Sequence, residues 1–139
     1  MLEASYKALV DFWQKILLFT FFPLIDPIWT LDETSFDMAV SMGQNVLVDF
    51  YAPWCKACVI FAPKYQKAVQ EAVKNGLDVT FAKVDTDLNP YLTQRFGVNT
   101  FPRLLLFPRS GARPKRYNSI LELEHQSYIS PEYRGLSTM

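Results

Sequence analysis

Val46 to Tyr51 reads VLVDFY, a near-continuous apolar run of strand length and strand composition. A segment with no polar face to turn toward water predicts a central strand covered on both sides, as in an α/β sandwich. Asp49 interrupts the run. A carboxylate is costly to bury ionised, so Asp49 is expected to be neutral at working pH, paired, or turned toward a cleft. The strand leads directly into Ala52-Pro53-Trp54-Cys55-Lys56-Ala57-Cys58 and then into a helical pattern, with Phe61, Tyr65, Ala68, Val69, Ala72 and Val73 on its buried face and Asn75-Gly76 as its stop. Pro63 lies inside that helix and is expected to kink it.

The remaining chain continues the alternation of strands and helices from Ile28 onward, which predicts an α/β fold on a mixed, mostly parallel sheet. Thr30 or Asp32 is placed to cap a short helix through Phe36 and Val40 that breaks near Gly43. Met38 and Met42, at helical spacing, are assigned to the core. Asp78 to Asp85 predicts a strand, Asn89-Pro90 a short helix reaching Phe96-Gly97, and Leu104 to Phe107 another strand. Ser110-Gly111 predicts a hairpin turn into Lys115 to Tyr117. Ser119 and Glu122 form a capping box, so a last helix is expected from there to about Ile129, followed by a polar tail over 131–139. At 139 residues the chain holds one domain and not two.

The first 27 residues form a separate feature. Glu3, Lys7, Asp11 and Lys15 fall four apart with alternating sign, and Leu9, Phe12, Trp13, Ile16 and Leu17 take the other side, the pattern of an amphipathic helix. Ile16 to Ile25 is then apolar except for Thr20. Ten residues cover only about half of a bilayer core, and Pro23, Asp26 and Pro27 end the run, so no membrane-spanning helix is expected. The acidic residues near the start do not suit a cleaved secretory signal. The segment either folds back onto its own domain or docks on a protein partner or a membrane surface; its aromatic surplus of Phe19, Phe21, Phe22 and Leu24 favours docking.

Charge excludes one class of partner. Fourteen basic residues balance fourteen acidic ones, so no long-range field gathers phosphates and nucleic-acid binding is not expected. Two cysteines and one histidine cannot close a four-ligand zinc site without carboxylates, and they are too few for a disulfide scaffold.

Chemistry concentrates at the cysteine pair. A strand that delivers Cys55 to the first turn of a helix sets its sulfur beside free backbone N–H groups and the positive end of the helix dipole, which favours the thiolate. Cys58, one turn further in, can form a disulfide with it while being less exposed, so Cys55 suits attack and Cys58 suits resolution. Lys56 adds a nearby cation that makes the couple modestly more oxidising. The alternatives are half of a metal or iron–sulfur site completed by a second subunit, or inert buried thiols. The order of strand, aromatic residue, CxxC and helix argues against both.

These residues resemble a known family. Val46 to Pro63, VLVDFYAPWCKACVIFAP, is similar to the active-site segment of the thioredoxin superfamily, and its FYAPWC wording is nearest to protein disulfide isomerase domains. The likeness continues through Ala82-Lys83-Val84-Asp85, Asn89-Pro90, Phe96-Gly97-Val98 and Phe101-Pro102, and covers roughly Ile28 to Ile129. It implies a thioredoxin fold over residues 28–130, to which the N-terminal helix read from the residue pattern is an addition without a counterpart in a minimal thioredoxin. It further implies Cys55 as nucleophile, Cys58 as resolving thiol, Trp54 as the ring beside them, Asp49 as the buried proton acceptor and Lys83 as the lysine tuning that acid. Pro102 matches the cis-proline that faces the sulfurs. Asp49 also has a purely structural alternative, and His125 receives no functional role.

Three departures stand out. Lys56-Ala57 replaces the Gly-Pro or Gly-His usual between the cysteines, which leaves the redox direction open. Phe101 precedes the proline where smaller residues are usual, and Arg103 follows it where threonine is common; both border the groove that pairs with a substrate strand. The expected activity is thiol–disulfide exchange on protein disulfides or dithiols, needing no metal or organic cofactor. The alternative is a thioredoxin-like subunit of a larger, possibly membrane-associated assembly, docked through residues 1–27 with a vestigial or regulatory CxxC. Cytoplasm is the default location, with mitochondrial and endoplasmic-reticulum placements as alternatives.

Overall fold

In a computed structural model that describes residues 2–21 and 26–117, the VLVDFY segment forms the middle strand of a five-stranded sheet. In chain order the elements are α1 (Leu2–Phe21), β1 (Ile28–Thr30), α2 (Phe36–Ser41), β2 (Val46–Tyr51), α3 (Lys56–Lys74), β3 (Thr80–Asp85), α4 (Pro90–Arg95), β4 (Arg103–Phe107) and β5 (Lys115–Tyr117). The strand order is β1-β3-β2-β4-β5. β3 runs parallel to both β1 and β2, whereas β2 with β4 and β4 with β5 are antiparallel. The sheet is therefore mixed as expected, with parallel pairing confined to its β1-β3-β2 half.

Strand alternation divides the core in two. Val46, Val48 and Phe50 point to one face, where Phe36 of α2 and Leu92 of α4 pack with Ala82, Val84, Leu105 and Phe107. Phe36 is fully buried and its ring meets those of Phe96 and Phe107, each at 5.2 Å between centroids. Leu47 points to the other face, against Tyr65, Ala68, Val69 and Ala72 of α3. Burial on both faces explains why β2 carries so little polar character.

Helix α3 has a recognisable stop. Gly76 adopts a positive φ of 72°, its N–H reaches the Val73 carbonyl and the Leu77 N–H reaches that of Ala72, which together make a Schellman motif. Pro63 sits inside α3, and the helix continues past it to Lys74.

Two local expectations need correction. Thr30 lies in β1, and α2 starts after Ser35, not after Thr30 or Asp32. Asp32 instead holds the preceding turn, its Oδ1 accepting from the backbone N–H groups and hydroxyls of Thr34 and Ser35. Met38 and Met42 are 66% and 60% exposed and do not belong to the core, because α2 spans under two turns and its buried face is taken by Phe36 and Ala39.

On α1, Tyr6, Leu9, Phe12 and Trp13 are all exposed. No helix among the described residues is long and apolar enough to cross a membrane. The expected helix over 119–129 with its Ser119–Glu122 capping box, His125 and the tail 131–139 lie outside the described residues, as do Phe22, Pro23 and Leu24 of the apolar run.

Candidate active site

The carboxyl end of β2 turns through Ala52 to Trp54 and hands Cys55 to the N-cap position of α3. Cys55 has extended backbone angles there, and its Sγ accepts a hydrogen bond from the Cys58 backbone N–H at 3.2 Å. A helix N-terminus leaves such amides without intrahelical partners, and an anionic acceptor takes them more strongly than a neutral one. On its other side the Cys55 thiol donates to the Phe101 carbonyl oxygen at 3.8 Å. The Phe101–Pro102 peptide bond is cis, in agreement with the resemblance.

Both cysteines are free thiols with little exposure, 8% for Cys55 and 5% for Cys58. Cys58 is the less exposed of the two, as expected, but Cys55 is itself buried. The cause is local: Tyr51 and Phe101 pack on the small cluster formed by Ala52, Cys55 and Cys58. Trp54 is 69% exposed, meets the Phe101 ring edge-on at 5.8 Å, and donates its indole N–H to Asp87 Oδ1 at 3.1 Å. The bulky residue before the proline thus covers the thiols and braces the tryptophan.

Behind the cysteines, on the α3 side of the sheet, lies a cavity of about 350 Å³. Asp26, Asp49, Cys58, Tyr65, Gln66 and Lys83 are among its lining residues. Asp49 is buried, and its Oδ1 has no hydrogen-bond partner among the described residues. Burial raises its carboxyl from 3.8 to about 7, against the opposing pull of the Lys83 charge. The Cys58 thiol is pushed up to about 11, first by burial and next by its hydrogen bond with Cys55, while a backbone hydrogen bond from Ala52 works the other way. Of the three options for Asp49, the cavity and the raised carboxyl combine a cleft with near-neutrality.

Lys83 is the in-register partner of Asp49 on β3, yet its Nζ pairs with Asp26 Oδ2 at 3.8 Å. In the sequence Asp26 marks only the end of the apolar run, and neither Asp26 nor Asp87 carries a motif that would single it out. Lys56 is the exposed first residue of α3. Arg103 folds its Nη2 back onto Asn99 Oδ1 and Thr100 Oγ1, which ties it to the loop ahead of the cis-proline. Among the described residues, no group of three or more histidine, cysteine or acidic side chains gathers to hold a metal ion.

A dithiol at a helix start, opposite a cis-proline and backed by a buried acid, on a mixed five-stranded sheet between helices, defines a thioredoxin-fold domain. The Thioredoxin family model matches residues 27–129, and the chain belongs to that family. It is 36% identical over 92 residues to Protein disulfide isomerase-like 2-1 of Oryza sativa subsp. japonica, covering 66% of this chain and 25% of that protein. With Protein disulfide-isomerase A4 of Rattus norvegicus the identity is 43% over 89 residues, covering 64% of this chain and 14% of the relative. The chain thus spans a quarter or less of the length of these two relatives. Among solved structures, the first thioredoxin domain of mouse Protein disulfide-isomerase A4 superposes with a TM-score of 0.65 at 29% identity, over 81% of this chain and 77% of that one.

Proposed function

We propose that this chain is a thiol–disulfide oxidoreductase domain acting on protein disulfides, with its chemistry in residues 28–130. The Cys55 sulfur attacks one sulfur of a substrate disulfide. The substrate S–S bond breaks, a Cys55–substrate disulfide forms, and the departing substrate sulfur takes up a proton. Cys58 then gives its proton to ionised Asp49 as its sulfur attacks Cys55 Sγ, releasing the second substrate thiolate. Two electrons pass from the dithiol to the substrate, and Cys55–Cys58 is left as a disulfide; an oxidising role runs the same steps backward. Lys83 tunes Asp49, Lys56 biases the potential, and Trp54, Phe101 and Pro102 line the place where a substrate strand would lie.

The observation that carries this reading is the Cys58 amide aimed at the Cys55 sulfur beside the cis Phe101–Pro102 bond. Cys58→Ser tests it. The variant should accumulate mixed disulfides that Cys55→Ser does not form, and the native chain should reduce insulin disulfides. Absence of any mixed disulfide together with no insulin reduction would overturn the reading. The reduction potential of the pair then fixes the direction, because reducing and oxidising members of such systems differ by about 100 mV or more.

A second reading has its own support in the exposed Tyr6, Leu9, Phe12 and Trp13 of α1 and in the covered Cys55. In it, residues 1–27 dock the domain on a protein partner or a membrane surface and the cysteine pair is secondary. Deleting that extension separates the two. An enzyme keeps its disulfide turnover, whereas an assembly subunit loses its attachment; a tethered enzyme shows both.

A further inference from the structure

Asp26 has no part in the mechanism above, yet both of its oxygens are engaged. Oδ1 accepts the backbone N–H of Ile28 at 3.0 Å, which fixes the carboxylate at the start of β1, and Oδ2 lies 3.8 Å from Lys83 Nζ. β1 pairs with β3 so that Thr30 stands opposite Lys83, and β2 pairs with β3 so that Asp49 stands opposite the same lysine. Asp26, Lys83 and Asp49 all line the cavity that Cys58 also lines. One ammonium thus sits between a half-exposed carboxylate at the cavity rim and a buried one at its floor.

We propose that Asp26 is a positioning residue for the proton transfer between Cys58 and Asp49: by holding the Lys83 ammonium at the rim, it limits the charge that Asp49 feels and keeps that carboxyl able to carry a proton. The role in resolution rests on the function proposed above. The groups that face Asp49 support the assignment. Cys58 and Tyr65 approach from α3, with Cys55 beyond Cys58, Tyr51 lies on its own strand, and β4 contributes the apolar Leu104 in register. Lys83 is the one cation among them, so whatever competes for it is felt at Asp49. A single surface ion pair is worth little for stability. Here its importance is where it leaves the lysine.

Asp26→Asn keeps an oxygen acceptor for the Ile28 N–H and removes the charge. In the reduced 139-residue chain, the Asp49 carboxyl followed by carbon-13 NMR should titrate lower in Asp26→Asn than in the unsubstituted protein, by about half to one pH unit. Asp26→Glu should restore most of the native midpoint, and Lys83→Met should move it upward. In Cys58-dependent resolution of a preformed mixed disulfide, the pH at which the rate reaches half its maximum should fall with the carboxyl midpoint in Asp26→Asn. An unchanged Asp49 midpoint in Asp26→Asn would overturn the proposal and leave Asp26 as no more than a cap on β1; an unchanged midpoint in Lys83→Met would overturn it equally, by removing the intermediary. The titration needs no substrate. A native chain that formed no mixed disulfide would sink the proposed function while the NMR shift still decided the place of Asp26.

Discussion

Asp49 and Lys83 stand opposite each other in register on adjacent parallel strands, and the acid is the far more deeply buried of the two. Burial holds the Asp49 carboxyl at about 7, well above 3.8. Between those values the folded chain holds a proton that the unfolded chain has released, so stability falls as pH rises through that window and levels off above it. Asp49→Asn should therefore stabilise the protein at pH 8 by up to about 4 kcal/mol, with the gain shrinking toward pH 4. Urea unfolding at the two pH values checks this, and the same variant should slow mixed-disulfide resolution.

Tyr65 offers a test of the core on the α3 side of the sheet. Its buried hydroxyl lies 3.1 Å from the Ala82 carbonyl oxygen and 3.3 Å from that of Leu47, linking α3 to β3 and β2. Tyr65→Phe should cost about 1 to 2 kcal/mol in urea unfolding, the usual consequence of losing a buried hydrogen bond.

Phe101 packs over the cluster that holds Cys55. Replacing it with threonine removes the ring that packs over the cysteine cluster and against Trp54. Alkylation of Cys55 should become several-fold faster, measured by mass spectrometry under limiting reagent. Stability should drop by about 1 kcal/mol or more from the lost ring contact.

Asp87 fixes the orientation of Trp54 through the indole N–H. Asp87→Ala should free that ring, lowering its fluorescence anisotropy and costing about 1 kcal/mol or less at this exposed position. Thiol reactivity should change far less than in Phe101→Thr, because Asp87 does not cover the sulfurs.

Removing residues 1–24 while retaining Asp26 should leave the thermal midpoint nearly unchanged, since Tyr6, Leu9, Phe12 and Trp13 of α1 are exposed and Val10 and Ile16 only half-buried. A large drop in calorimetry would show that the extension packs on its own domain.

Much of this was legible in the residues. β2 occupies Val46–Tyr51 as the apolar run implies, and α3 begins where Cys55 ends the strand-to-helix turn. Those features are local, and period and capping chemistry report them. Relations across the chain were not. That Lys83 pairs with Asp26 depends on β1 lying beside β3, a fact of topology that no spacing encodes. Met38 and Met42 have core-like chemistry and helical spacing, but spacing does not tell which side of so short a helix meets the sheet. Cys55 is covered by Phe101, forty-six positions away in sequence, a proximity only the folded loop creates.

Both flanks of the described sheet are three-residue strands, Ile28–Thr30 and Lys115–Tyr117, and the latter opens with two exposed cations. Such stubs give a foreign polypeptide almost no ladder to extend. The described sheet thus leaves its rim closed to added strands, and contacts with another polypeptide must be made at its ends and faces instead.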